Sequence, residues 1–246
     1  MPKFFIDRGS ISSEGIRITG EDVVHIKKVL RLKCGDTIVL CDGAGHDYNV
    51  SIERFEQDSV LTKVLSSVPN HREPPVSISL FQGIPKSDKM DYIIQKSVEL
   101  GITRIVPVMT ERTIVRIENA KDAENKVSRW QRISLEAAKQ CNRGVVPRVE
   151  FPVTYETALK QMQDSSLSIM PYEKETGSRL RDCLEKYETG DVSVFIGPEG
   201  GFSEKEAESA LASGMRTVSL GPRILRTETA GIMVLSILMY VLGDVG

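Results

Sequence analysis

The sequence predicts two parts: a small β-barrel carrying one helix, then a mostly parallel α/β sheet with helices on both faces. Three observations carry this. The first 70 or so residues alternate short β-like runs with turn residues. PNHREPP (69–75) then places three prolines in seven residues, where neither a ladder nor a helix can continue. Beyond it, strand-like and helix-like segments alternate, the pattern of a parallel sheet.

In the first part, IRI (16–18), TIVLC (37–41), YNVSIERF (48–55) and VLTKVL (60–65) are the expected strands, and DGAGHD (42–47) is a hairpin connection. EDVVHIKKVLRLKCGD is the expected helix, with acidic residues in its first turn and a Gly–Asp exit at 35–36. In the second part, VSISLFQGI (76–84) is a strand and SDKMDYIIQKSVELG (87–101) a helix closed by Gly101. RIVPVM (104–109) is a strand and roughly 122–142 a long helix. SLSIMP (166–171), a helix near 178–188, VSVFIG (192–197), a helix near 204–213, RTVSLG (216–221) and an apolar C-terminal helix follow. The expected domain bounds are 1–72 and 73–246.

Composition narrows the function. Hydrophobic residues at 40% and charged residues at 27% are those of an ordinary globular chain. The four cysteines form no CxxC pair, and the three histidines no ligand-like pair, so reduced thiols and no metal are expected. MPKFFIDRGS turns polar too soon for a signal peptide, and AGIMVLSILMYVL (230–242) falls short of the ~20 residues a membrane span needs. A cytoplasmic protein is expected, with that last helix buried in a core or a subunit interface. Net charge is −2, with 10 basic against 10 acidic residues in 1–72 and 22 against 24 after it, so any nucleic-acid contact rests on local patches.

Two loops carry chemical content. In FIGPEGGFSEKE (195–206), Ser203 and Glu206 form an S-x-x-E capping box, so GPEGG is a strand-to-helix turn at the carboxyl end of a parallel strand. Ligands bind at such ends, against unpaired helix N–H groups. The stretch is neither G-x4-G-K-[ST] nor G-x-G-x-x-G, which disfavours a phosphate-loop enzyme. SLGPRILRTETAG (219–231) repeats the strand, Gly-Pro turn and helix start, with two arginines and a glutamate in the turn. Charges entering a buried helix need partners. Two neighbouring strand ends with Gly-Pro loops describe one pocket.

These two loops at this separation resemble those of the SPOUT (α/β-knot) methyltransferases. HIKKVLRLKCGD (25–36), QGIPKSDKMDYIIQKSVELGITRIVPVMTER (82–112) and RWQRISLEAAKQCNRGVVP (129–147) narrow the resemblance, which covers the whole chain, to the bacterial family that methylates N3 of a uridine in 16S ribosomal RNA. The resemblance implies a PUA-like β-barrel before a trefoil-knotted sheet, S-adenosylmethionine as cofactor, 16S rRNA within the 30S subunit as substrate, and a homodimer. Two other readings stand beside it: a knotted ribose 2′-O-methyltransferase, and a non-catalytic RNA-binding assembly factor.

Carried over by position, the cofactor loops are Met170–Pro171, Gly197–Gly201 and Leu220–Thr227. Leu220, Ile224 and Leu225 can wall an adenine, with core packing as their alternative role. Gly200, Gly201 and Gly221 permit close backbone approach. Arg226 is the residue expected at the reacting centre, stabilising charge on the uracil carbonyls or clamping a phosphate. Glu199 and Glu228 are either proton acceptors or charge partners of Arg223 and Arg226. For RNA, the N-terminal helix offers His25, Lys28, Arg31 and Lys33, which read equally as a solvated face. Lys86, Lys96, Arg112 and Arg116 are candidate phosphate contacts, and Gln140 and Arg143 candidate groove residues. Trp130 belongs to the packing stripe of the long helix.

Overall fold

The structure, a computed structural model, describes residues 1–185, 187 and 189–245. The chain forms two compact units, Met1–Glu73 with Ala138–Val146, and Pro74–Ala137 with Pro147–Gly246.

The first unit is built on six strands: β1 (Lys3–Phe5), β2 (Ile11–Ser12), β3 (Gly15–Thr19), β4 (Thr37–Cys41), β5 (His46–Phe55) and β6 (Ser59–Pro69). They pair in the order β1-β4-β5-β6-β3-β2, antiparallel except for β1 on β4. Alternation decides the faces: Ile16 and Ile18 point inward and Arg17 outward, as do Ile38 and Leu40 against Thr37. These residues close on Phe4, Val50, Ile52 and Val60. The β5–β6 ladder carries two register shifts, at Asn49/Val50 and Ile52/Arg54, devices that bend a strand pair.

The expected helix is shorter than the sequence suggests. It comprises α1 (Glu21–Val24) and a π-helical turn over His25–Val29, and the chain leaves it at Arg31 with φ +53°. The spacing of His25, Lys28 and Arg31 is therefore not that of one α-helical face. Tertiary bonds hold the turn: Lys27 Nζ donates to the carbonyls of Glu56 at 2.5 Å and Gln57 at 3.1 Å.

Residues 138–146 join this unit through ion pairs, among them Lys139 Nζ to Asp22 Oδ1 at 3.2 Å. Arg143, only 5% exposed, sets Nη2 2.5 Å from Glu73 Oε2. The same carboxylate accepts the N–H groups of Gly144 and Val145 at 2.9 and 3.1 Å.

The second unit places β7 (Ser77–Gly83), β8 (Arg104–Met109), β9 (Arg148–Val149), β10 (Val153–Thr154), β11 (Leu167–Pro171), β12 (Asp191–Ile196) and β13 (Arg216–Val218) in one sheet. The order is β10-β8-β7-β12-β11-β13 with β9 also on β8, and every pair is parallel. Its helices are α2 (Lys89–Glu99), α3 (Ala120–Gln140, whose last turn belongs to the first unit), α4 (Tyr155–Met162), α5 (Leu180–Leu184), α6 (Glu204–Ala212) and α7 (Thr227–Val241). The nearly continuous burial of β7 and β12 fits central strands covered on both faces. One side of the core joins Phe81, Phe195, Phe202 and Tyr155, with Phe195 and Phe202 edge to face at 4.9 Å. Trp130 is buried, as its stripe predicts.

Sequence reading left out α4, β9 and β10. Thr154 caps α4 by accepting the Thr157 N–H, a signal legible in VTYETALKQM. The loops at 196–203 and 219–227 were expected to follow neighbouring strands, but they do not: β11 lies between β12 and β13. The chain after β13 is bonded to a loop on either hand. Ser219 N–H donates to Ser178 C=O at 2.8 Å and Thr227 Oγ1 to Gly197 C=O at 2.6 Å, and α7 then packs on α2 and β12.

Candidate cofactor and methyl-transfer site

Three loops leave the carboxyl ends of β11, β12 and β13 and enclose a cavity of about 1090 Å³. The capping box is formed as predicted: Ser203 N–H donates to Glu206 Oε2 at 2.9 Å, and Ser203 Oγ accepts the Glu206 N–H. Glu206 Oε1 also accepts the Glu111 N–H at 2.9 Å, so the start of α6 is fixed from two sides. Loop 172–178 is folded around Glu175, which accepts Thr217 Oγ1 at 2.6 Å and the N–H groups of Gly177 and Ser178. The Thr217 hydroxyl, then those two N–H groups, hold the Glu175 carboxyl below its usual range.

Most residues expected at the cofactor site line this cavity: Pro171, Gly197, Glu199, Gly201, Leu220, Gly221, Ile224, Leu225, Arg226 and Thr227. Three lie off its wall. Met170, a residue of β11, is fully buried in the core. Gly200 turns its carbonyl to Arg112, whose Nη1 donates to it at 2.7 Å. Glu228 stands in the first turn of α7.

The glutamates' partner differs from the expected arginines. Lys89, at the start of α2, sets its Nζ 3.0 Å from Glu199 Oε1 and 3.5 Å from Glu228 Oε2. The Lys86 N–H adds a hydrogen bond to Glu199 at 3.1 Å. Burial acts to raise the Glu199 carboxyl, but Lys89 and the Lys86 N–H outweigh it and hold the group below its ordinary value. Lys89, Tyr172, Glu175, Arg179 and Arg181 also line the cavity and were missed in the sequence. Lys89 alone left a signal, in PKSDKM.

The walls suit S-adenosylmethionine. Ile224 is 87% exposed at the cavity, an unshielded aliphatic wall of the kind an adenine covers. Gly221 has φ +106° and a side chain there would meet no atom within 4 Å, so its backbone faces open space. Gly201, at φ +65°, has the Glu173 carboxylate 3.2 Å from where a Cβ would stand.

The candidate RNA residues divide. In the first unit His25, Lys28, Arg31 and Lys33 are exposed, as is Gln140. Arg143 is buried on Glu73 and presents no free charge to a groove. In the second unit Lys86 and Arg116 are exposed, Lys96 pairs with Glu99 at 2.8 Å, and Arg112 is committed to Gly200. Among the described residues no group of three metal-ligating side chains occurs, and no helix is long and apolar enough to cross a membrane.

Residues 72–239 match the family described as RNA methyltransferase domain, and residues 18–65 the family described as RNA methyltransferase PUA domain. A parallel α/β sheet of the SPOUT type following a PUA-like unit along the chain is the class that fold and cavity define. Ribosomal RNA small subunit methyltransferase E of Bacillus subtilis (strain 168) is 36% identical over 230 residues, 91% of this chain and 89% of that one. A crystal structure of the Neisseria gonorrhoeae ribosomal RNA small subunit methyltransferase E bound to S-adenosyl methionine superposes with a TM-score of 0.87 at 33% identity, over 100% of both chains. A Legionella pneumophila methyltransferase solved with bound cofactor gives 0.88 at 32% identity, over 99% of this chain and 98% of that one. The chain belongs to the ribosomal RNA small subunit methyltransferase E family.

Proposed function

We propose that this protein is a cytoplasmic, homodimeric enzyme that transfers the methyl group of S-adenosylmethionine to N3 of a uridine in 16S ribosomal RNA, within the 30S subunit. The observation that carries this reading is the cavity at three strand ends, walled by Leu220, Ile224 and Leu225 and by the backbone of Gly197, Gly201 and Gly221. Relatives of the same fold and length were solved with that cofactor.

When bound, S-adenosylmethionine supplies an electrophilic methyl on a positively charged sulfur. The protein's part is positioning and charge. Loops 197–201 and 219–227 hold the adenosyl group. Arg226, exposed at the cap of α7 with no bond from its side chain to the helix, faces the cavity and stabilises negative charge on the uracil carbonyls as the N3 proton leaves. Glu199, ionised and held by Lys89, is a poor proton acceptor and supports the wall instead. His25, Lys28, Arg31 and Lys33 supply phosphate contacts from the first unit, Lys86 and Arg116 from the second.

Methylation of 16S transcript and of 30S particles, followed by nucleoside analysis, tests the reading. 3-Methyluridine is expected, formed faster on the particle; a ribose-methylated product, or none, overturns it. Arg226→Ala is expected to lower kcat about 10²–10³-fold while cofactor affinity stays within about threefold. Near-normal turnover would remove Arg226 from the reacting centre.

A further inference from the structure

The segment after β7 reaches the cavity although no cofactor loop begins there. Lys89 lies on the cavity wall, and its ammonium touches both other elements: Glu199 in the loop after β12, at 3.0 Å, and Glu228 in the first turn of α7, at 3.5 Å. These contacts are partly shielded, with side-chain exposures of 29% for Lys89 and Glu199 and 19% for Glu228. Glu228 Oε2 is buried without a hydrogen-bond donor among the described residues, and the Lys89 ammonium at 3.5 Å is its ion-pair partner.

A second tie runs from the same strand end. Gln82, fully buried, donates Nε2 to Thr227 Oγ1 at 2.9 Å, and the Thr227 hydroxyl donates to Gly197 C=O at 2.6 Å. The end of β7 thus grips the 197–201 loop and the start of α7 twice, through an amide chain and through one cation. Because Arg226 is the N-cap of α7, whatever sets that helix start also sets the backbone from which the guanidinium extends.

We infer that Lys89 is a positioning residue: its ammonium draws Glu199 and Glu228 together and so holds the 197–201 loop and the Arg226 turn at the spacing that grips the cofactor. The inference rests on the S-adenosylmethionine reading of the cavity. It makes the two glutamates supports of the wall, joined by one shared cation. Lys89 is also held in its charged form, by the hydrogen bond to Glu199 first, so the clasp is intact throughout the neutral range.

The test is a double-mutant cycle read in cofactor affinity by calorimetry, with thermal melting as the fold control. Lys89→Met keeps the aliphatic stem and is expected to weaken S-adenosylmethionine binding at least about tenfold, with melting shifted by only a few degrees. Lys89→Arg is expected to recover to within about threefold of wild type, because a guanidinium can span two carboxylates. Glu199→Gln added to Lys89→Met is expected to cost little more than Lys89→Met alone, since the pair acts as a unit. Unchanged affinity in a folded Lys89→Met protein, or additive losses in the cycle, overturns the inference while leaving the cofactor reading in place. A wild-type protein that binds no S-adenosylmethionine overturns both. Should Lys89→Met fail to fold, Lys89→Arg and Glu199→Gln decide it: strong binding by Glu199→Gln, equal to wild type, also overturns it.

Discussion

At Glu56 three donors converge on one carboxylate: the Ser59 hydroxyl at 2.7 Å, Arg17, and Arg54 Nε at 3.0 Å. The Ser59 bond first, then the two arginines, bring its carboxyl from an ordinary 4.5 down to about 2. A depressed folded value means stability that is present above the ordinary value and is lost as pH falls through the folded one. The gap in urea midpoint between wild type and Glu56→Gln is therefore expected to be full above about pH 4.5 and to close toward about pH 2. A gap independent of pH would show that the ionised carboxylate contributes nothing. The Arg17 contact was not legible in the sequence, because Arg17 lies 39 residues from Glu56 and meets it only once β3 and β6 are paired. The same holds at Glu199, which the motif displays but whose partner, Lys89, is 110 residues away in sequence.

At the scale of elements, what was legible was local chemistry. The Ser203–Glu206 box forms because both partners lie within one turn, and β7 and β12 are buried through apolar residues such as Ile78, Leu80, Phe81, Val192, Val194 and Phe195. What was not legible came from tertiary bonds: the helix at 21–29 widens into a π turn where Lys27 bonds the 56–57 carbonyls. Residues 138–146 belong to the first unit for a similar reason, since Glu73 gathers the Arg143 guanidinium and two backbone N–H groups. Glu73→Ala strips all of these acceptors from a guanidinium that is 5% exposed. With Glu73 itself partly exposed, the expected loss is about 2–3 kcal/mol, below the full cost for a deeply buried pair. It should appear as a lower denaturant midpoint for the first unit with the second unit's transition unmoved; a change under about 0.5 kcal/mol would reduce the pair to an ordinary surface contact.

For the whole molecule, strand–helix alternation announced a parallel sheet, but its order depends on crossovers that no local pattern encodes. That is why β11 was not foreseen between the two Gly-Pro loops. α7 raises the question of what covers it. Thr227–Val241 is almost wholly apolar, and one side packs through Val234, Leu235, Leu238 and Met239. Yet Tyr240 is 70% and Val241 51% exposed, so the helix carries apolar surface into water that a helix greasy on all sides normally buries. A second copy meeting it across a two-fold axis would cover the same surface on both chains at once, the commonest solution for such a face. The proposed homodimer is therefore expected to use this end of α7. In sedimentation equilibrium the wild type should run at twice the 27.3 kDa chain mass at micromolar concentration. Tyr240→Glu, which places a charge in the middle of that contact, should run at the single-chain mass with unchanged far-ultraviolet dichroism. A wild type that stays monomeric across that range, or a Tyr240→Glu protein that dimerises as tightly, would remove α7 from the interface and leave its exposed face unexplained by self-association.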